Sequence, residues 1–257
     1  MDLVERIVKL DVYYTILSFL YIIGGVQAYY FGLNAVITLA VSSVTALALD
    51  FLLYSWEKRP VSILTLRKAL ITATLLAFLL PPEAPVHVTV MAAALAILSK
   101  HFLKLPGQSK HVFNPAALGA MVTGLVFSFP MIWWGAHETL TWILGIVLIY
   151  RFKRLELPAT IIASYALLSM ALNGFTLDSL QQSVLQNTPL VFMAFFMATE
   201  PMTSPNTFKG RMLFGAGIAL AVFSLSFVGG FDALTAGLLA GNLLNLPINY
   251  LLKPKAV

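Results

Sequence analysis

Ala77-Phe-Leu-Leu-Pro-Pro-Glu-Ala-Pro85 and Ala194-Phe-Phe-Met-Ala-Thr-Glu-Pro-Met-Thr-Ser-Pro205 are two copies of one device. In each, an apolar run opening on Ala-Phe is broken by prolines around a single glutamate. Proline removes a backbone donor and frees a carbonyl. Between apolar segments such breaks persist only where they are buried in protein or line a cavity. A second pair accompanies them: Phe113-Asn-Pro-Ala-Ala-Leu-Gly119 and Phe231-Asp-Ala-Leu-Thr-Ala-Gly237.

The surrounding chain decides what these breaks interrupt. Of 257 residues, 59% are hydrophobic and 11% are charged, with mean hydropathy +0.87. Soluble domains carry about 25% charged residues, so the outer surface must meet an apolar solvent. A lipid bilayer supplies one. Apolar stretches predict ten membrane spans: 12–30, 34–56, 67–80, 86–100, 112–129, 139–151, 157–173, 188–199, 212–228 and 233–252. The third, sixth and eighth are short for a full crossing.

Charge supports this division. With the amino terminus placed in the cytoplasm, all 16 basic residues fall in cytoplasmic segments. The opposite loops hold only the acids Glu83, Glu138, Asp178 and Asp232. That is the asymmetry of the positive-inside rule. It predicts a multi-pass protein of the cell membrane with both termini cytoplasmic. The mixed charges of the first eleven residues do not read as a signal peptide.

The two proline breaks lie five spans apart, so their copies enter from opposite sides. The chain is therefore expected to be one all-α polytopic domain, 1–257, of two inverted five-helix repeats at approximately 12–129 and 139–252.

Paired broken helices usually flank a central site. Thr199, Glu200, Thr203 and Ser204 at the second break offer hydroxyls and a carboxylate for a polar ligand. The alternative is a loop with a helix-stopping proline. Asn114 and Pro115 suit a helix cap and first turn. The small residues after them allow close approach of a helix or a flat ligand, and packing alone would also account for them. Asp50 is the acid deepest in a span, about 9 Å from the Trp56 edge at 1.5 Å per residue. Intramembrane acids point to ion or proton pathways, or else to a neutral, hydrogen-bonded packing residue. Glu83, the acid of the first break, is the second ion-pathway candidate. His101 and His111 sit among lysines and are expected to be solvated.

Several chemistries are excluded. The chain has no cysteine, hence no disulfide, thiolate zinc or cysteine-ligated iron–sulfur cluster. No nucleophile triad, phosphate loop or dinucleotide fingerprint appears, so there is no self-contained catalytic motif. No nucleic-acid fold accompanies the basic loops.

Lys110–Gly119 (KHVFNPAALG) and Phe196–Arg211 (FMATEPMTSPNTFKGR) resemble the signature segments of the RnfD/NqrB family. Its members are the membrane D subunit of Rnf-type electron-transport complexes and the B subunit of the sodium-pumping NADH:quinone oxidoreductase. Ala198-Thr199-Glu200-Pro201 stands where the family has Ala-Thr-Asp-Pro. Thr203-Ser204, Lys209-Gly210 and Leu80-Pro81-Pro82 also match. The resemblance implies a urea-channel-like ten-helix fold and a flavin-dependent electron-transport subunit, coupled to Na+ or H+ movement. It further implies other membrane and soluble redox partners, including a flavin/NADH or ferredoxin-linked reductase. The family attaches FMN to threonine in a Ser-Gly-Ala-Thr segment after the fifth span. Here Phe129-Pro-Met-Ile-Trp-Trp134 stands instead. Covalent FMN is therefore not expected, and a noncovalent flavin, FMN or riboflavin, between the proline breaks is the cofactor left open. The competing expectation is a channel or transporter for a small urea-like or flavin-like solute.

Overall fold

The computed structural model describes residues 11–104 and 110–252. Arg6, Lys9, Lys253 and Lys255, with both termini, lie outside the described residues. The fold is all-α. Among the described residues the sole β feature is an isolated antiparallel bridge between Lys104 and His111.

Helix α1 is a helical run, Val12–Trp56, interrupted at Gly32, where φ is 69° and ψ is −157°. A straight helix would hold Gly24 and Leu39 about 22 Å apart. Instead Leu39 Cδ1 would lie 3.5 Å from a Cβ placed on Gly24. The chain therefore doubles back at Gly32, a conformation open to a residue without Cβ, and the two arms, 12–31 and 33–56, form a hairpin. The remaining helices are α2 (Ile63–Leu79), α3 (Val86–Phe102), α4 (Pro115–Phe127), α5 (Glu138–Phe152), α6 (Glu156–Asn173), α7 (Leu177–Val184), α8 (Thr188–Phe192), α9 (Phe208–Leu225) and α10 (Ala233–Leu251). Helix α8 continues as a π-helical turn, Met193–Met197. Among the described residues, counting the two arms, ten helical segments match the ten apolar stretches. The short polar-faced α7 was not expected.

Local chemistry sets the ends. Ser62 and Thr65 make a reciprocal capping box at α2. Asn114, Thr207 and Asp232 cap α4, α9 and α10 by accepting from the backbone N–H of Ala117, Gly210 and Thr235. Such caps satisfy donors that the helix itself leaves free.

Two helical runs, Val12–Trp56 and Phe208–Leu225, are long and apolar enough individually to cross a bilayer. The outward surface is apolar beyond them: Val44, Leu125, Ile143, Ile146, Leu167 and Leu220 are all exposed. An outer surface this rich in exposed apolar side chains suits lipid rather than water.

The two Ala-Phe runs pack in a similar way. Phe78 sets its edge against Trp134 at 4.8 Å and lies over Gly24. Phe195 sets its edge against Trp142 at 5.5 Å and lies over Gly145. Each phenylalanine is the second residue of its Ala-Phe run. Gly119 brings α4 onto the backbone of α3, where an added Cβ would be 2.4 Å from Ala92 O. Gly237 brings α10 onto α9, with Val222 N 2.8 Å from an added Cβ.

Contacts join like ends. Trp133 Nε1 donates to Asp232, Thr38 to Pro82 O, and Ile132 N to Leu79 O at the acidic end. At the basic end Arg67 pairs with Asp11, and Arg211 with Glu156.

Candidate functional site

The cap of α4 and the second proline break meet. Asn114 is 1% exposed, and every polar atom of its side chain is engaged. Its Oδ1 accepts from Ala117 N at 3.1 Å, and its Nδ2 donates to Glu200 Oε2 at 3.1 Å. Its backbone N–H donates to Asn242 Oδ1 at 2.8 Å, well inside α10. Pro115 is buried beside it in the first turn.

Glu200 is half-buried. One oxygen faces His111 Nε2 at 3.2 Å, and the other accepts from Asn114 and from Thr203 Oγ1. A carboxylate offers about four acceptor positions, so it keeps room for a further donor. Ser204 donates to Glu200 O at 2.7 Å and accepts from Arg154. Thr203 O accepts from Asn242. Thr199 is buried and donates back to Phe195 O at 2.7 Å, closing the π-helical turn. π-helical turns often mark functional positions.

The sequence-derived cofactor residues Asn114, Pro115, Thr199, Glu200, Thr203 and Ser204 thus share one neighbourhood. The ion-pathway pair does not. Asp50 lies at the basic end of the second arm of α1, 1% exposed. Glu83 is exposed at the acidic end, beyond Pro82, whose carbonyl accepts from Thr38. Thr38 and Asp50 are about 18 Å apart along that arm.

Asp50 has partners that sequence reasoning missed. Its Oδ1 is 3.1 Å from Lys100 Nζ and 2.8 Å from His101 Nε2. His101 Nδ1 is 2.9 Å from Glu57 Oε1, and Glu57 in turn pairs with Arg59 at 2.9 Å. Burial alone would raise the Glu57 carboxyl. The hydrogen bonds from Arg59 and His101 outweigh it and hold the pKa at about 2, against an ordinary 4.5.

The expectation that His101 and His111 are solvated is corrected. They are 6% and 7% exposed, each against a carboxylate supplied by a distant segment. His101 belongs to the last turn of α3 rather than to the loop. Asn242, Asn245 and Asn249 were also missed. Their spacing of three and four places them on one helical face, a readable signal in so apolar a helix. Asn249 donates to Asn245 and accepts from Asn206 N.

A cavity of 480 Å³ opens at the acidic end, lined by Met121, Gly124, Ser128, Met131, Gly230 and Asp232 among others. That volume falls in the range of small-ligand sites.

The model of the NQR2, RnfD, RnfE family matches residues 8–141 and 132–257. The D subunit of the ion-translocating oxidoreductase complex of Ectopseudomonas mendocina is 26% identical over 298 aligned residues, covering 88% of this chain and 85% of that protein. Its Vibrio cholerae counterpart is 27% identical over 313 residues, covering 89% of each. The Mannheimia succiniciproducens counterpart is 32% identical over 162 residues, 62% of this chain and 41% of that protein. The aligned lengths of 298 and 313 exceed the 257 residues here, so those relatives carry insertions. On the match along nearly its whole length, this chain belongs to the NQR2, RnfD, RnfE family.

Proposed function

We propose that this chain is the membrane-embedded subunit of an ion-translocating electron-transport complex, that it carries a noncovalent flavin, and that it receives electrons from a soluble reductase partner. The observation that carries this reading is the meeting of the two family-like segments. Asn114 of the first donates to Glu200 of the second. Residues far apart in the chain are held as one polar group where two helices stop short. The curated relatives are named as the D subunit of an ion-translocating oxidoreductase complex.

The proposed cofactor residues are Asn114, Pro115, Thr199, Glu200, Thr203 and Ser204, with Glu200 the member that has acceptor capacity to spare. A flavin supplies one- and two-electron chemistry. The protein's part is to hold it and to keep water from it. Asp50 and Glu83 are the proposed acids at the two ends of an ion path for Na+ or H+. The architecture is two inverted five-helix repeats of a urea-channel-like type, with the basic end cytoplasmic. The parallel packing of Phe78 with Gly24 and Phe195 with Gly145 supports the repeat.

The test is the visible spectrum of the purified protein. Absorbance at about 450 nm that survives gel filtration is expected of bound flavin, and it should fall in Glu200→Gln. Loss in Gly124→Leu with retention in Glu200→Gln would move the flavin to the acidic-end cavity. A colourless protein that speeds solute flux in liposomes would replace this reading with a channel.

A further inference from the structure

Three cations from three separate elements converge on one short stretch of the loop before α9. Lys110 precedes α4, Arg154 lies in the turn between α5 and α6, and Arg211 is in the first turn of α9. Lys110 Nζ donates to Asn206 Oδ1 at 3.1 Å, and Arg154 donates to Ser204 Oγ. Arg211 Nη1 donates to Asn206 O at 2.8 Å.

Their charges are only partly balanced. Arg211 has a carboxylate partner, Glu156. Lys110 and Arg154 have none within 4.0 Å among the described residues. Glu200 lies close by in sequence, but its carboxylate turns to Asn114 and His111. Both cations are partly buried. Burial first, and then the charge of Arg154, lowers the Lys110 pKa. Burial first, and then the charge of Arg211, lowers that of Arg154, against a smaller opposing effect of the Glu156 carboxylate. Two half-desolvated cations that repel each other are the environment an anion relieves.

The backbone holds this arrangement. Lys153 takes a left-handed φ of 52°, and Arg154 N donates to Ile149 O, so the arginine leaves the end of α5 at a set angle. Helix α9, 18 residues long and capped by Thr207, directs its positive end to the same place. A guanidinium fork, an ammonium and a side-chain amide suit the tetrahedral oxygens of a phosphate.

We propose that Lys110, Arg154 and Arg211 form a phosphate-group site over Ser204 and Asn206 at the basic end of the bundle. The site shares Ser204 with the proposed flavin residues, but its readouts are phosphate and lipid binding rather than flavin absorbance, so either reading can fail alone. Two sources present this chemistry at a membrane edge, the headgroup of an anionic phospholipid and a free phosphate or phosphorylated solute.

The experiment uses the full chain in two arms. In phosphatidylcholine nanodiscs, inorganic phosphate is titrated against chloride at constant ionic strength while the melting temperature is followed. In detergent, native mass spectrometry compares retention of phosphatidylglycerol with that of phosphatidylcholine. A response in the first arm assigns free phosphate, and selective retention in the second assigns the headgroup. Either affinity should fall roughly tenfold or more in Lys110→Gln/Arg154→Gln, the loss of charge-assisted hydrogen bonds. It should be unchanged in Lys209→Gln, an exposed cation in the same turn of α9. If the double variant fails to fold, Lys110→Gln alone carries the comparison, and unchanged binding there overturns the proposal. No preference in either arm, or an equal loss in Lys209→Gln, overturns it as well.

Discussion

Asn114 and Glu200 stand 86 positions apart in the chain, yet the side-chain amide of one donates to the carboxylate of the other at 3.1 Å. The same asparagine caps α4, and its backbone N–H donates to Asn242. One residue therefore joins the start of α4, the second proline break and the middle of α10.

Removing that side chain should be costly. Asn114→Ala loses a helix cap and leaves the Ala117 N–H and the Glu200 carboxylate short of a partner. Cap loss and an unsatisfied buried group each cost about 1 kcal/mol or more, so a destabilisation of about 2 kcal/mol is expected. Unfolding in a denaturing detergent titration measures it. A change within about 0.5 kcal/mol, the scale of a neutral surface substitution, would show that the junction is not structural.

Close helix approach should depend on Gly119 and Gly237. Gly119→Ala places a methyl against Ala92 O, and Gly237→Ala places one against the Val222 backbone. Backbone cannot yield as a side-chain tip can, so each substitution should cost about 1–3 kcal/mol by overpacking. Gly25→Ala, which meets nothing within 4 Å, should be neutral or stabilising. Thermal melts of the three variants in one detergent check the ranking.

The Asp50 cluster separates a structural from an ion-carrying role. Asp50→Asn leaves the Lys100 charge buried without its counter-ion, which typically costs about 3–5 kcal/mol. Adding Lys100→Met removes that charge and should recover much of the stability. If Asp50 also lies on an ion path, the double variant should fold yet lose ion uptake in proteoliposomes that carry the complete complex. Unimpaired uptake would leave Asp50 a packing residue.

Glu57 should make one part of the stability pH-dependent. Its pKa is depressed to about 2 in the folded protein, from an ordinary 4.5. A depressed carboxyl stabilises the fold above its unfolded pKa, and that contribution is lost as pH falls through the folded value. The stability difference between the protein and Glu57→Gln should therefore hold steady above about pH 4.5 and shrink as the pH drops toward 2. Glu57 is partly solvated, so screening keeps the difference small. A difference that grows on acidification would contradict the assignment.

Much of the helix layout was legible because span length and charge alternation are one-dimensional signals. Proline, asparagine and aspartate marked ends that the structure places within a few residues, as at Asn114 and Asp232. What stayed hidden was pairing across the chain. His101 stands between lysines in sequence and reads as solvated. Its carboxylate partners are 44 and 51 residues away, at and just beyond the end of the second arm of α1, and only folding brings them together. Lys100 is hidden in the same way. Helix α7 was missed because it is short and polar on one face, and a search for continuous apolar stretches passes over it. The asparagines of α10 were legible in principle from their helical spacing.

The arrangement of the halves admits a direct test, and the absence of native cysteine makes it clean. Single cysteines replace Lys58, Lys153, Glu83 and Asp178 in turn, and a membrane-impermeant thiol reagent is applied to intact cells and to inverted vesicles. Opposed repeats with a shared basic end predict labelling of the Lys58 and Lys153 positions only in inverted vesicles, and of the Glu83 and Asp178 positions only in intact cells. Labelling of the Lys58 and Lys153 positions from opposite faces would contradict it.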